Sequence, residues 1–145
     1  MGLNTLLLSA SPTPVPDIVA LAASLDGDGR VKIPGTHGTG VLQVAAANVG
    51  ATGTLTVSAD FGLGVLPVSV SLCEVDPASP TGSCSAAPAP TVTTTIAAGA
   101  TRAFAVFVAG AADVPFDPAN KRVFVRFGEA GVTRGATSVS VETLK

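Results

Sequence analysis

Short runs in which apolar and polar residues alternate, separated by Gly and Pro turns, recur along this chain and constrain its fold most strongly. Alternation with a period of two is typical of β-strands that bury one face. Gly, Pro and β-branched residues interrupt every longer run, so no segment favours a helix. The sequence predicts nine strands: Ile18–Leu25, Arg30–Ile33, Val41–Asn48, Thr52–Ala59, Val65–Cys73, Thr91–Ile96, Arg102–Val108, Arg122–Phe127 and Val132–Glu142.

The spacing of these strands predicts the architecture. Seven to nine short strands with turns between them are typical of an antiparallel β-sandwich, and 145 residues suffice for one such domain. We therefore expect an all-β domain over residues 17–145. Residues 1–16 form an N-terminal extension, which Pro12, Pro14 and Pro16 make similar to a linker, although a strand or the remnant of a tag is also compatible.

The last two predicted strands allow a more detailed expectation. Val123, Val125 and Phe127 share one face and should be core. A simple antiparallel hairpin would place Phe127 opposite Thr133 and Arg126 opposite Arg134.

Cys73 and Cys84 flank a segment rich in Pro, Gly and Ser. The spacing predicts a disulfide that closes a surface loop, which implies an oxidising compartment. Two free buried thiols in a cytosolic protein are the alternative. A zinc site would need two further ligands, and one His cannot supply them.

The charge pattern excludes several partners. A net charge of −2 provides no positive field for nucleic acid or an anionic membrane. The apolar segment Leu3–Ala10 is too short to insert in a membrane and lacks the basic start of a signal peptide, so we expect no signal peptide in this chain.

Residue types that carry catalysis are scarce. The chain has no Trp, no Tyr and one His, and His37 lies in a Gly-rich segment with no neighbouring acid to orient its ring. The three Glu are scattered, and most Asp precede Gly or Pro, where they cap turns. We therefore expect that the protein is not an enzyme and needs no cofactor.

Two groups of charged residues are candidate binding sites. Asp26 and Asp28 alternate with glycines as at the start of a calcium loop, but the twelfth position of that loop, where a Glu should bind, is His37. A hairpin turn built from the two Asp-Gly pairs is the alternative reading.

The second group is an arginine cluster. Arg122, Arg126 and Arg134, with Phe124 between the first two, offer donors for an anionic glycan or a protein partner. The alternative is a solvated strand face whose charges are met by Glu129 or Glu142. The absence of Trp and Tyr weakens sugar binding.

Several segments resemble known modules. Asp17–Leu21 and Val44–Val57, which contains Asn48-Val-Gly50, are similar to Ig-like modules of secreted bacterial surface proteins, including the cell-adhesion-related CARDB-type family. The segments 72–84, 114–127 and 131–139 resemble a recurrent module of uncharacterised exported bacterial proteins. The resemblance implies an Ig-like sandwich and export, and it supplies no catalytic residues.

These observations lead to one hypothesis and one alternative. The chain is expected to be a non-enzymatic structural or adhesive module of a secreted or cell-surface bacterial protein. Its expected partner is a protein or another cell-surface component, including a second copy that pairs through unprotected strand edges. The alternative is a module that binds calcium or an anionic glycan.

Overall fold

A computed structural model describes residues 3–5 and 12–145, and these residues form ten β-strands and no helix. The nine predicted strands are present within a few residues of their expected bounds, which confirms the all-β prediction. The additional strand lies inside the predicted N-terminal extension. The strands are β1 (Leu3–Thr5), β2 (Ile18–Ser24), β3 (Arg30–Pro34), β4 (Thr39–Asn48), β5 (Gly53–Asp60), β6 (Val68–Glu74), β7 (Thr91–Ile96), β8 (Thr101–Gly110), β9 (Arg122–Glu129) and β10 (Val132–Leu144).

The strands form two sheets. Sheet B has four strands in the order β2-β4-β8-β6, all paired antiparallel. Sheet A has six strands. Its main path is β10-β9-β5-β7, and β1 and β3 pair with successive parts of β10. Because β3 runs parallel to β10, sheet A is mixed, and the prediction of purely antiparallel sheets is wrong at this pair.

The parallel pair arises at the turn between β2 and β3. This turn carries the chain from sheet B to sheet A, so β2 and β3 do not form the hairpin that the Asp-Gly pairs suggested. On reaching sheet A, β3 buries Val31 and Ile33 in the same core and aligns along the end of β10. The burial of these two side chains offsets the loss of hairpin pairing.

The core lies between the two sheets and follows the predicted alternation. Val123, Val125 and Phe127 are fully buried, as predicted. The Phe127 ring meets Phe104 of sheet B edge-to-face, with 5.5 Å between ring centroids. Because Phe104 and Phe127 are among the largest fully buried side chains, this pair joins the sheets at the centre of the core.

The register of β9 against β10 differs from the simple hairpin. Arg126 lies opposite Ala136 and Phe127 opposite Gly135, two residues along β10 from the predicted partners Arg134 and Thr133. The turn residues Ala130 and Gly131 both have positive φ, as a tight two-residue hairpin requires. The two-residue turn accounts for one residue of this shift and a bulge between Thr133 and Gly135 accounts for the other, so the predicted Arg126–Arg134 pair is absent.

The N-terminal segment contacts the domain in its described parts. β1 pairs antiparallel with β10, and the Val15 carbonyl accepts a hydrogen bond from the Ala51 amide. The extension predicted for residues 1–16 therefore contributes a strand to sheet A. The part of that prediction that concerns residues 1, 2 and 6–11 lies outside the described residues.

Asn48, at the end of β4, is a buried polar hub. Its amide nitrogen donates to the carbonyls of Ala51 and Ile96 at 2.8 and 2.9 Å. Its Oδ1 accepts from the backbone amides of Gly50 and Asp17 at 3.0 and 3.1 Å. One side chain thus fixes the start of β2, the β4–β5 connection and the end of β7.

We expect Asn48→Ala to lower the free energy of unfolding by about 3 kcal/mol, since it removes the partner of four backbone groups at a buried or partly buried site. Asn48→Asp should be no better, because a carboxylate cannot donate to Ala51 and Ile96. Urea denaturation measures both variants. The matched control is Asn120→Ala, which removes an amide from an exposed turn and should cost less than about 1 kcal/mol. A similar loss in Asn48→Ala and Asn120→Ala would contradict the hub role.

Candidate binding surfaces

The two carboxylates of the predicted calcium loop surround a lysine. Lys32 Nζ, from β3, lies 2.5 Å from Asp26 Oδ2 and 2.8 Å from Asp28 Oδ2. Asp28 also accepts hydrogen bonds from the Ser24 hydroxyl and from the backbone and Nε of Arg30. The ammonium group of Lys32 therefore occupies the space between the carboxylates that a calcium ion would need.

Arg30 extends this ionic network across sheet A. Its guanidinium bonds Glu142 of β10 at 2.9 Å and lies over the Phe116 ring, 5.3 Å from the centroid. His37 does not join the network, since its Nδ1 contacts the neighbouring Thr36 hydroxyl. Within residues 3–5 and 12–145, no three His, Cys, Asp or Glu residues converge as a metal site would require. The geometry does not favour the calcium prediction.

The network shifts the pKa of its members. The hydrogen bond from Lys32 is the main cause that holds the pKa of Asp28 well below its usual range, with further help from Arg30 and Ser24. Asp26, followed by Asp28, raises the pKa of Lys32. Both shifts favour the charged forms, which is expected when opposite charges are in contact.

We expect calcium at about 1 mM to leave the thermal midpoint unchanged, because a ligand that does not bind the native state gives no stabilisation. Scanning calorimetry with and without calcium measures this. The same measurement on Lys32→Gln, which removes the competing ammonium group, tests whether Lys32 is what excludes calcium. A calcium-dependent rise in the midpoint of the wild type, reduced in Asp28→Asn, would restore the calcium hypothesis.

The lowered pKa of Asp28 predicts an acid-dependent stability. The Asp28 carboxylate contributes fully to the free energy of unfolding at pH values above its unfolded pKa of about 4. This contribution is lost as the pH falls through the lower folded pKa. The stability difference between the wild type and Asp28→Asn should therefore be largest at neutral pH and shrink below about pH 4. Urea unfolding at several pH values measures the difference. A difference that does not vary with pH would contradict the assignment.

The arginines of the predicted cluster are engaged within the chain. Arg122 donates to the Pro118 carbonyl at 2.9 Å and to Ser138 Oγ at 3.1 Å, and burial lowers its pKa. Its guanidinium covers Ser138, so it acts as a clamp between β10 and the segment before β9. This use of Arg122 leaves few donors for an external anion.

Arg126 and Arg134 have acidic partners. Arg126 makes a two-pronged bond to Asp60 and lies over Phe124, 5.1 Å from the ring centroid. The hydrogen bond to Asp60 raises the pKa of Arg126. Partial burial alone would raise the pKa of Asp60, but the bonds from Arg126 and the Gly62 amide outweigh it, and the pKa lies below its usual value.

Arg134, in the bulge, bonds Glu129 at 3.3 Å and is only 13% exposed. Glu129 was one of the two acids expected to neutralise the cluster. The other, Glu142, bonds Arg30 instead. Sequence analysis did not pair Asp60 with Arg126. The position of Asp60, at the end of a strand with alternating polar residues, was a weak signal for such a pair. The arrangement is that of internally paired charges on a sheet face.

The predicted disulfide is present. Cys73 and Cys84 are joined, with Cα atoms 5.6 Å apart, and neither thiol is free. The enclosed loop makes hydrogen bonds of its own. One of them runs from the backbone amide of Asp76 to the Ser83 carbonyl, at 2.8 Å. A cross-link closing a loop of this length contributes about 3 kcal/mol in the chain-entropy model.

The disulfide loop lies against the outer face of sheet B. Cys73 and its pairing neighbour Ala105 are buried, although their position in the strand pattern directs them away from the core. At Gly82, a side chain would approach the Gln43 amide to 3.7 Å. The disulfide therefore holds the loop over one part of this face.

The part of the outer face of sheet B formed by β2 and its neighbours is mainly apolar and partly exposed, with Gln43 as its polar member on β4. Leu21, Ala45 and Ala103 form one cross-strand row, and Leu21 is 53% exposed. Val75 and Pro77 of the disulfide loop border the row beside Ala103. We call this surface the uncharged face, and its residues are Val19, Leu21, Ala23, Ala45, Ala47 and Ala103.

Sequence analysis did not identify the uncharged face. The available signal was that β2 is apolar in both phases of the alternation up to Ser24, and that β4, whose outer phase adds Thr39 and Gln43, carries no charge. A sheet whose outer face contacts water normally alternates apolar with polar residues. Apolar residues on both faces make this surface a candidate contact site.

Comparisons with known proteins give no family. No family model matches the chain, and no curated protein matches it. A DNA-bound structure of the Pseudomonas fluorescens alkylpurine DNA glycosylase AlkC is a weak structural neighbour, at 14% identity and a TM-score of 0.40. The match covers 88% of this chain and 30% of that chain. Similarity at this level carries no functional inference.

Among the described residues, no helix could cross a membrane.

Proposed function

We propose that this chain is a non-enzymatic structural or adhesive module, with an Ig-like arrangement, of an exported bacterial surface protein. The observation that carries the proposal is the uncharged face beside the disulfide loop. This combination would offer a protein partner a mainly apolar surface bordered by a cross-linked loop.

The disulfide supports the exported part of the proposal. Disulfides persist in oxidising compartments and are rare in reducing cytosol. The segment between the cysteines consists mainly of small, polar and Pro residues, which do not build a core of their own. The cross-link therefore adds to the hydrogen bonds that hold the loop, and export would maintain that cross-link.

The arrangement of charged groups supports a binding role over catalysis. Acids and bases in active sites converge in a cleft and have pKa values suited to proton transfer. Asp28 and Asp60 instead have lowered pKa values caused by contacts with Lys32 and Arg126 on the surface. Such pairs stabilise the fold and keep each carboxylate ionised at neutral pH.

The uncharged face supports an adhesive role. Interface centres are depleted in charge, and a few apolar anchors carry most of the binding energy. Leu21 is the largest side chain on the face and stands in a row of Ala residues. It is therefore the expected anchor, and the small neighbours allow a partner to approach the sheet closely.

We expect Leu21→Glu to reduce adhesion by about tenfold or more, the loss typical of an interface anchor. Beads coated with the protein are counted after binding to bacterial cells. The matched control, Thr56→Glu, introduces the same charge at an exposed position on the outer face of sheet A and should retain adhesion. Equal adhesion of both variants would remove the uncharged face from the proposal.

Free thiols in protein isolated from its native compartment, detected by intact mass before and after reduction, would overturn export.

A further inference from the structure

The edges of the two sheets differ in how they are covered. β2 lies so close to β10 that a side chain at Gly135 would meet the Ile18 carbonyl at 2.3 Å. β6 pairs with the segment after the disulfide through bridges at Leu72 and Val75. On β10, the edge away from β9 carries β1 and β3. Among the described strands, β7 pairs with β5 alone, and β6 lies near it without pairing, so the other edge of β7 has no hydrogen-bonded strand.

β7 lacks the usual protection of an edge strand. Its six residues, Thr91-Val-Thr-Thr-Thr-Ile96, contain no charge, no Pro and no bulge. Natural proteins use these features to prevent strand addition. Thr, Val and Ile are also among the residues most favoured in strands. The open edge is therefore a template for another strand.

The sequence of β7 is complementary to itself. Thr91, Thr93 and Thr95 are exposed on the outer face of sheet A, and Val92 and Ile96 face the core. In an antiparallel pair of two β7 strands centred on Thr94, Val92 lies opposite Ile96 and Thr93 lies opposite Thr95. A register centred on Thr93 would place Val92 opposite Thr94 and so mix apolar with hydroxyl side chains.

We propose that β7 pairs antiparallel with β7 of a second copy of this chain, in a two-fold register centred on Thr94. The pairing continues sheet A across both copies. It also extends the outer threonine row, in which Thr54 Oγ1 and Thr95 Oγ1 already lie 3.0 Å apart. Cross-strand threonine pairs of this kind stabilise sheets.

This inference rests on the proposed structural role but uses a different surface from the uncharged face. A single pair of short strands buries less surface area than the roughly 800 Å² per partner of a standard interface. The isolated dimer is therefore weak. On a cell surface, where copies are held close together, effective concentrations reach about the millimolar range and make such pairing effective.

Sedimentation equilibrium tests the pairing. The mean mass of the wild type should rise from the 14.1 kDa chain mass towards twice that value as concentration increases. The double variant Thr93→Lys/Thr95→Lys should stay monomeric, because like charges then lie opposite one another. Its control, Thr39→Lys/Gln43→Lys, adds the same charges at two exposed positions on the outer face of β4 in sheet B and should associate like the wild type.

A charge-exchange experiment identifies the partner strand. An equimolar mixture of Thr93→Lys/Thr95→Lys with Thr93→Glu/Thr95→Glu should form heterodimers, since each Lys then faces a Glu. Thr94→Cys should form a disulfide-linked dimer under mild oxidation, because residue 94 faces its own copy, whereas Thr93→Cys should not. Cross-linking through Thr93→Cys alone would overturn the register.

A wild type that stays monomeric at about 1 mM, the effective concentration expected on a surface, would overturn pairing with a second copy. Association that is equal in the Thr93→Lys/Thr95→Lys variant would overturn the role of β7. Neither result changes the adhesion measured with Leu21→Glu, so a failure of this inference is distinguishable from a failure of the proposed function.

Discussion

The structure depends on one buried amide. Asn48 satisfies four backbone groups from three parts of the chain, at the point where β2 begins, β4 passes into β5 and β7 ends. Backbone bonds from Asn48 to Ala100 and from Gly99 to Asn48 add the β7–β8 turn. These chain segments meet at a buried or partly buried point where their backbone groups have Asn48 as a partner. Only a side chain with both donors and an acceptor can pair them all, which explains why Asn is required there.

A second constraint acts on the outside of sheet B. The Cys73–Cys84 disulfide holds a polar loop over part of an apolar sheet face, next to the exposed row of Leu21, Ala45 and Ala103. The loop shields Ala105 and Cys73, and it leaves the row uncovered. The covalent bond therefore sets the boundary of the uncharged face as well as the order of the loop. Reduction would be expected to affect binding through the face and stability together.

Local patterns were sufficient to predict the strands but not all of their partners. Alternation identified the core residues Val123, Val125 and Phe127, and cysteine spacing identified the disulfide. The parallel β3–β10 pair could not be predicted, because the Asp-Gly turn is equally compatible with a hairpin and with a crossing between sheets. The bulge before Gly135 depends on one extra residue, which alternation does not reveal. The contact of Lys32 with Asp26 and Asp28 depends on that crossing and was missed for the same reason.

Most of the few charged side chains of this chain form ion pairs with one another. This internal pairing limits how the proposed module could recognise a partner. Six cations form salt bridges with acids of the same chain: Arg30, Lys32, Arg102, Arg126, Arg134 and Lys145. Long-range electrostatic steering needs unbalanced charge near the interface, and both the uncharged face and β7 lack it. Recognition at these surfaces would rest on apolar contact and backbone hydrogen bonds, which salt screens little. Such interfaces form slowly and gain strength when many copies lie side by side, which is the arrangement that the proposed function requires.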